Sequence, residues 1–453
     1  MISCPVNNEG RAPGRSGLGA VMGSKKLKAI AVTGKAEVPV ANKEKVKNLR
    51  REYVAKLEGP FMGYLGRVFA DVFRNYGTAG ITADSAQSGD SPVKNWGGVA
   101  ARDFPDASLI GDEAVIDQQA KKYGCYRCPL SCGGHMKAGT GEYQYKEGTH
   151  KPEYETLCAF GTLCLNENLE SITKANDICN RYGLDTISAG ATIAFAIECY
   201  ENGIISKDDT DGIEMTWGNH KSIIAMLEKL AKREGFGNVL ADGVKVAAEK
   251  IGKGADKYAM QAGGEELPMH DPRFVPSHGM NYQGDPTPAR HTQSGLALGT
   301  DFPGLDIPSL DKYVYHGKGK YETIMKNQIH MVNCTGMCLF GFLTLPWDEL
   351  RDVLSAVTGW QLSQEEVYNA GGRIATLRQA FNVREGLSPK DFKLPERVRG
   401  VPSLKEGPLA NVTVPIDDMI KDYYQAMEWD AETGKPGKKR LEELGLADVA
   451  KDM

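Results

Sequence analysis

Three cysteines in one short run carry the sharpest chemical signal. Cys125-Tyr-Arg-Cys128-Pro-Leu-Ser-Cys132 has the spacing C-x2-C-x3-C. Three thiolates this close, with glycine and proline beside them, can wrap one compact soft metal centre. Zinc sites usually pair two short C-x2-C knuckles to reach four ligands. A [4Fe–4S] cluster is met by one short run of three cysteines and one distant cysteine. The chain has no second C-x2-C, so the spacing favours iron–sulfur over zinc, and over three thiols that merely pack.

The distant ligand has two candidates, Cys334 and Cys338, in HMVNCTGMCLFGF. A second pattern favours Cys338. Asn180-Arg-Tyr-Gly183-Leu184-Asp185 and Asn333-Cys-Thr-Gly336-Met337-Cys338 share the form N-x-x-G-[L/M]-[D/C]. Each follows a helical run closed by a glycine, the usual left-handed helix stop. Beyond such a stop the chain can present free backbone N–H groups and one polar side chain. Either copy alone reads as an ordinary helix end. Together they suggest two similar half-sites facing one ligand.

These residues must be held by an ordinary folded chain. The 453 residues are 41% hydrophobic and 25% charged, which excludes a disordered tail or a collagen-like repeat. A net charge of −5 gives no global attraction to nucleic acid or anionic lipid, so a phosphate-bearing ligand must be held by local geometry. No apolar run reaches the roughly 18 residues of a membrane span. The start, MISCPVNNEGRAPGRSG, lacks the layout of a secretory signal. A cytoplasmic, reducing location is expected, with the ten cysteines reduced, metal-bound or catalytic.

Periodicity then predicts the elements. Residues 28–32 (KAIAV) read as a short buried strand, 84–106 as a long loop, and 109–122 as a helix leading into the cysteine run. From residue 169 onward, helix follows helix. One is expected over 171–182, stopped by Gly183, and the next has Ser188 as its N-cap and runs to about residue 201. Further helices are expected over 222–232, 239–251, 321–332, 347–357, 364–381 and 417–429, with a charged surface helix in the tail. Residues 262–308 are rich in glycine and proline and read as a long functional loop.

In chain order, GRAPGRSGLGAVMGSKKLKAIAV, the C-x2-C-x3-C run, HKPEYET, NRYGLDTISAG, ELPMHDPR and GMCLF resemble the aldehyde ferredoxin oxidoreductase family. The resemblance covers residue 10 to about residue 381. It implies a tungsten- or molybdenum-bis-pterin (molybdopterin) cofactor beside a [4Fe–4S] cluster, with magnesium bridging the pterin phosphates. Cys125, Cys128, Cys132 and Cys338 match the four cluster ligands. Asn180, Gly183, Leu184 and Asp185, and Asn333, Gly336 and Met337, match the two pterin-binding motifs. Arg11 and Ala12 match the stretch that approaches the pterin phosphates. Glu155 matches the acidic residue near the metal, with Glu153 as its competitor. His291 falls where the family carries an active-site histidine, with His270 and His278 as competitors. Glu155 as general base and His291 as donor to the carbonyl oxygen would suit that chemistry.

Four departures stand out. Both pterin motifs open with Asn where the family usually has Asp, which removes one acceptor oxygen. Met337 replaces the usual Leu. The E-x-x-H pair that holds an interfacial iron in some members has no counterpart at 174–177, which leaves a homodimer without that iron site. Most of the family's N-terminal domain also precedes the matched region.

The expected fold is α+β and predominantly helical. Residues 1–40 would be the remnant of a β-rich pterin-binding base domain. Residues 41–262 would be a helical domain with the three-cysteine run and first pterin motif, and 263–453 a helical domain with the second motif and fourth cysteine. The expected activity is oxidation of aldehydes to carboxylic acids, with electrons passing through the cluster to ferredoxin. Two alternatives stand beside it. One uses the same cofactor to reduce an aromatic acyl thioester at low potential, and His150 before the glutamates is compatible with it. The other is a shortened, inactive chain that carries a cluster for electron transfer or as a scaffold.

Overall fold

A computed structural model describes residues 1–8, 10–57, 66–293, 310–346 and 348–453. Residues 58–65, the stretch 294–308 of the Gly/Pro-rich loop, and Trp347 lie outside them. Helices dominate, and the described residues contain two small antiparallel sheets of two strands each. Among them no helix is long and apolar enough to cross a membrane.

The centre of the molecule is the helix Thr186–Glu201, in which every residue from Ile187 to Cys199 is buried. An apolar stretch without a polar face has to be packed on all sides. It lies against the helix Tyr154–Phe160, where Gly190 lets the two backbones close up. A Cβ there would sit 2.7 Å from Ala159. The helix Leu169–Tyr182 is amphipathic as predicted, burying Ile172, Ala175, Ile178 and Cys179, and the Asn168 side chain caps it by accepting from Ser171 N at 2.8 Å.

One large core joins residues on both sides of position 262, among them Leu157, Phe195, Leu227, Met269, Tyr282 and Tyr423. A smaller core lies under the helix Lys318–Thr335, from Tyr321, Met325, Ile329 and Val332 to Phe342 and Val367. That helix packs against Gln364–Arg384 and Ile416–Met427.

Several local expectations are corrected. Residues 28–32 form no strand; Ile30 is 72% and Val32 91% exposed, because no described strand lies alongside to pair with them. The predicted 109–122 helix is instead the short helix Asp112–Asp117 followed by the strand Gln119–Tyr123, which pairs with Gly133–Met136. The expected loop at 84–106 begins in the helix Thr82–Ser88 and contains Ala100–Asp103. Within the Gly/Pro-rich stretch, Pro276–Gly284 is a fully buried helix. The charged surface helix expected in the tail is present as Lys438–Glu443, and its Leu441 packs with Leu444 and Leu446 in a small core.

The first residues are tied to the first helix stop. Cys4 N donates to Gly183 O at 2.8 Å, and Asp185 N donates to Ile2 O at 2.9 Å. Gly183 is left-handed at φ 68°, and a Cβ there would meet the Cys4 carbonyl oxygen at 2.7 Å. Both the conformation and the close approach therefore call for glycine.

Candidate active site and cysteine centre

The three-cysteine run is the connection between the strands Gln119–Tyr123 and Gly133–Met136. Left-handed residues Arg127 (φ 56°) and Ser131 (φ 51°) turn it back on itself. Cys128 N donates to Cys125 O at 3.0 Å, and Ser131 Oγ donates to Cys128 O at 3.2 Å. Cys338 arrives from the far end of the chain as the N-cap of the helix Leu339–Leu343. Phe340, two residues on, packs with Cys128 around Leu57, Ala70 and Leu130. Electrostatics place the sulfurs in one neighbourhood. Burial pushes the Cys132 thiol up to about 11, with Glu153, Cys338 and Cys128 adding to the rise. Burial likewise raises Cys338, and Cys128 and Cys125 contribute. Cys334 lies on the last turn of the preceding helix and, like Cys125 and Cys338, has an exposed surface. By contrast Cys158, Cys164, Cys179 and Cys199 are buried in the main core.

Among the described residues, the groups of possible ligand atoms that converge within 4.8 Å are two carboxylate–histidine sets. The four thiols are not drawn that tightly together, whereas sulfurs around a single zinc would stand about 3.8 Å apart.

The two N-x-x-G turns share their backbone and differ in their side chains. Gly183 and Gly336 are both left-handed, at φ 68° and 73°. After the first, Asp185 is the N-cap of Thr186–Glu201, the place expected for Ser188. Its oxygens accept from Ile187 N at 3.1 Å, Ser188 Oγ at 2.8 Å and Arg15 Nε at 3.1 Å. A short acidic side chain next to the stop competes better for the free N–H than a serine one turn into the helix. The backbone N–H groups of Leu184 and Asp185 are likewise taken, by Cys179 O and Ile2 O. The first turn therefore does not present the free groups expected of it. After the second turn, Cys338 occupies the cap without a side-chain bond. Asn333 Nδ2 leans toward the loop that carries His291, 3.4 Å from Thr292 O and 3.3 Å from Gln293 Oε1. Met337 N donates to Thr335 Oγ1 at 3.4 Å.

Arg15 was not singled out in the sequence. It is buried and binds Asp185, Glu265 and the carbonyl oxygens of Ala289 and Glu266, which fastens the glycine-rich segment to the helix start. Arg11 has a different setting. Its Nη1 pairs with Glu153 at 3.3 Å and its guanidinium lies 5.3 Å from the Tyr123 ring. Its charge acts on Cys132. Its Nε and Nη2 are buried with no hydrogen-bond partner. Ala12 is exposed beside it.

Glu155 stands in the first turn of Tyr154–Phe160. Its Oε2 accepts from Met269 N at 2.8 Å, while its buried Oε1 has no hydrogen bond. That free oxygen faces His291 Nε2 at 3.4 Å and His270 Nε2 at 3.6 Å. Asp90 holds the other ring nitrogen of His270, with Oδ2 2.8 Å from Nδ1. The His270 ring stacks on Tyr154 at 4.8 Å and on His278 at 5.4 Å, and lies 5.2 Å from His291. All three histidines named in the sequence therefore meet here. Glu153 does not, since it turns to Arg11 and to Thr78 Oγ1. His150 also lies elsewhere, with Nε2 2.6 Å from Tyr123 Oη.

Charge is divided unequally among these groups. Burial raises Glu155, opposed by His270, the Met269 N–H and Arg15. Burial alone would depress His270, but Asp90 and Glu155 outweigh it and lift the imidazolium to about 9. Burial and the charge on His270 push His278 down to about 3 and His291 well below its usual range. At neutral pH the set thus holds one imidazolium and two neutral imidazoles around the Glu155 carboxyl group, one oxygen of which has no hydrogen-bond partner.

Comparison with known proteins gives this arrangement a family. Residues 67–446 match the family model "aldehyde ferredoxin oxidoreductase, domains 2 & 3", and residues 1–34 match the model of its N-terminal domain. The chain is 36% identical over 448 residues to a tungsten-containing aldehyde ferredoxin oxidoreductase of Pyrococcus furiosus, covering 98% of this chain and 71% of that protein. It is 33% identical to the tungsten-containing aldehyde ferredoxin oxidoreductase of Thermococcus kodakarensis, with coverage of 98% and 71%. An aliphatic sulfonate oxidoreductase, WOR-like subunit, of Pyrococcus furiosus is 30% identical, with coverage of 98% and 67%. Among solved structures, the active-site complex BamBC of benzoyl coenzyme A reductase shares the fold, with a TM-score of 0.73 at 22% identity over 100% of this chain and 72% of that one. The chain belongs to the aldehyde ferredoxin oxidoreductase family and is an oxidoreductase of that kind.

Proposed function

We propose that this chain oxidises an aldehyde to the carboxylic acid and delivers the electrons to ferredoxin, using a tungsten- or molybdenum-bis-pterin cofactor and a [4Fe–4S] cluster. The observation that carries the reading is that residues 153–155 join two chemical neighbourhoods. Glu153 reaches Arg11 beside the cysteines, and Glu155 faces His270 and His291.

The donor chemistry fits the implied groups. Four thiols, three local and one distant, suit a [4Fe–4S] cluster. Burial disfavours the Cys132 and Cys338 thiolates in the bare protein, so cluster binding must displace protons and strengthen with rising pH. Arg11 keeps two unpartnered N–H groups suited to an anionic neighbour. Arg11 and Ala12 would face the pterin phosphates and their magnesium, and Asn180 and Asn333 would meet the pterins at the two turns. When bound, the pterin-held metal would supply the two-electron change and the cluster would pass electrons on singly.

The protein's own residues would manage water, protons and orientation. An aldehyde and one water yield a carboxylic acid, two protons and two electrons. The free Oε1 of Glu155 is placed to take a proton from the attacking water, a task worth about 10²–10⁴ in rate. Neutral His291 is suited to donate a hydrogen bond to the carbonyl oxygen and not to act as a strong acid. Tyr154, Tyr282 and His278 wall the set with buried rings.

The test is to purify the protein from cells given tungstate or molybdate, measure bound metals, and assay a panel of aldehydes with a viologen dye. About four irons and one tungsten or molybdenum per chain, with carboxylate formed, would support the reading. Zinc in place of iron, or turnover with an aromatic acyl thioester and not with aldehydes, would overturn it.

A further inference from the structure

We propose that His270 is a positioning residue: an imidazolium clamped between Asp90 and Glu155, which keeps the Glu155 carboxylate charged and aimed, with Asp90 holding the clamp shut. The inference rests on the reading of Glu155 as the base and adds how a buried carboxylate can do that work near neutral pH.

The geometry runs in a line. Asp90 Oδ2 lies 2.8 Å from His270 Nδ1, and His270 Nε2 lies 3.6 Å from Glu155 Oε1. Asp90 is itself fixed, since Ser85 Oγ donates to its Oδ2 at 3.3 Å and its backbone carbonyl accepts from Asp271 N at 2.7 Å. The imidazole is fixed too. Tyr154 stacks on one side of it at 4.8 Å and His278 lies 5.4 Å away, while Tyr282 Oη donates to the His270 carbonyl at 2.8 Å. A carboxylate on one nitrogen of an imidazole orients the ring and makes its other N–H point at a defined place. Here that place is Oε1 of Glu155, which has no hydrogen-bond partner and which His291 Nε2 also faces, at 3.4 Å.

The neighbours leave this task to His270. His278 and His291 lose their charge to burial and to the His270 cation. Arg15 is a permanent cation that acts on Glu155, but its guanidinium is committed to Asp185, Glu265 and two carbonyl oxygens. Asp271 is taken by Arg273, at 2.6 Å. Tyr154 and Tyr282 are held far above their usual range by burial and stay neutral. Lys312 senses Asp90, but it lies over the Phe274 ring at 4.0 Å.

The test uses the full chain with 15N-labelled histidine, comparing wild type with Asp90→Asn, Asp90→Glu and His270→Gln. Only eight histidines are present, so each side-chain signal can be assigned by substitution. In wild type one signal, lost in His270→Gln, should keep the imidazolium signature to about pH 9. In Asp90→Asn that signature should disappear at a lower pH, by about one unit or more, and Asp90→Glu should restore it in part. In the loaded enzyme, the acid limb of kcat/KM should move to higher pH in His270→Gln, which removes the cation, with KM changed little. A purely structural role would lower activity without moving that limb. An imidazolium signature unchanged in Asp90→Asn, or an acid limb that stays put in His270→Gln, would overturn the proposal. If Asp90→Asn does not fold, His270→Gln decides through the acid limb. Full turnover by Glu155→Gln would instead remove the reading of Glu155 as the base, while the histidine spectra would still judge the clamp.

Discussion

Glu153 and Glu155 stand two residues apart and serve opposite sides of the same short helix start. Glu153 accepts Arg11 at 3.3 Å beside the cysteine turn, and Glu155 offers a free oxygen to His291 at 3.4 Å and His270 at 3.6 Å. Glu153 lies just before the helix with extended backbone, while Glu155 lies within its first turn, and that change of backbone sends their side chains apart.

The two glutamates should therefore fail in different ways. Glu155→Gln should cost about 10² or more in kcat with the cluster retained, because the lost group is the proposed base. Glu153→Gln leaves Arg11 without its counter-charge and should lower iron content or cluster stability, with less effect on the aldehyde step. Steady-state kinetics and iron analysis on the same preparations separate the two.

Cys338→Ser should lose most cluster iron, and Cys334→Ser should retain it. Cys338 shares its electrostatic surroundings with Cys125 and Cys128, whereas Cys334, exposed like Cys338, sits on the last turn of the preceding helix. Iron analysis and the electron paramagnetic resonance of the reduced protein provide the check.

Asp185→Ala should destabilise the fold by about 3 kcal/mol or more. It removes a helix cap and leaves the buried Arg15 short of a charge partner. Gly183→Ala should cost about 1–2 kcal/mol through its left-handed backbone, before counting the approach of Cys4. Chemical denaturation of both variants measures these losses.

Much of the site could be read from the sequence because its parts announce themselves locally. The cysteine run and the two glycine stops, at Gly183 and Gly336, depend on spacing alone. The parts that escaped are non-local. Asp90 meets His270 across 180 residues, and Arg15 meets Asp185 across 170. The buried helix Pro276–Gly284 escaped because PSHGMNYQG mixes polar residues and glycines without a helical period, although Pro276 in its first turn is a start signal. Residues 28–32 misled in the other direction, since an apolar run reads as a strand only if another strand is there to pair with it.

The charge on His270 also has a signature in stability. Its pKa is raised from 6.5 to about 9 in the fold, so its contribution is fully present below about pH 6.5 and is lost as pH rises through about 9. The stability difference between wild type and His270→Gln should thus shrink between those values, by up to about 3 kcal/mol. Denaturation curves collected across that range test the sign. A difference that grows with pH would contradict the assignment.

With the cofactors in place, the Glu155 site should oxidise aldehydes. The most direct measurement is the product formed by the tungsten- or molybdenum-loaded protein from an aldehyde in 18O-labelled water, with viologen reduction followed in parallel. At least one labelled oxygen in the carboxylate and two dye molecules reduced per aldehyde are the expected result. A fully loaded protein that reduces no dye with any aldehyde, yet transfers electrons through its cluster, would rule out aldehyde oxidation at this site.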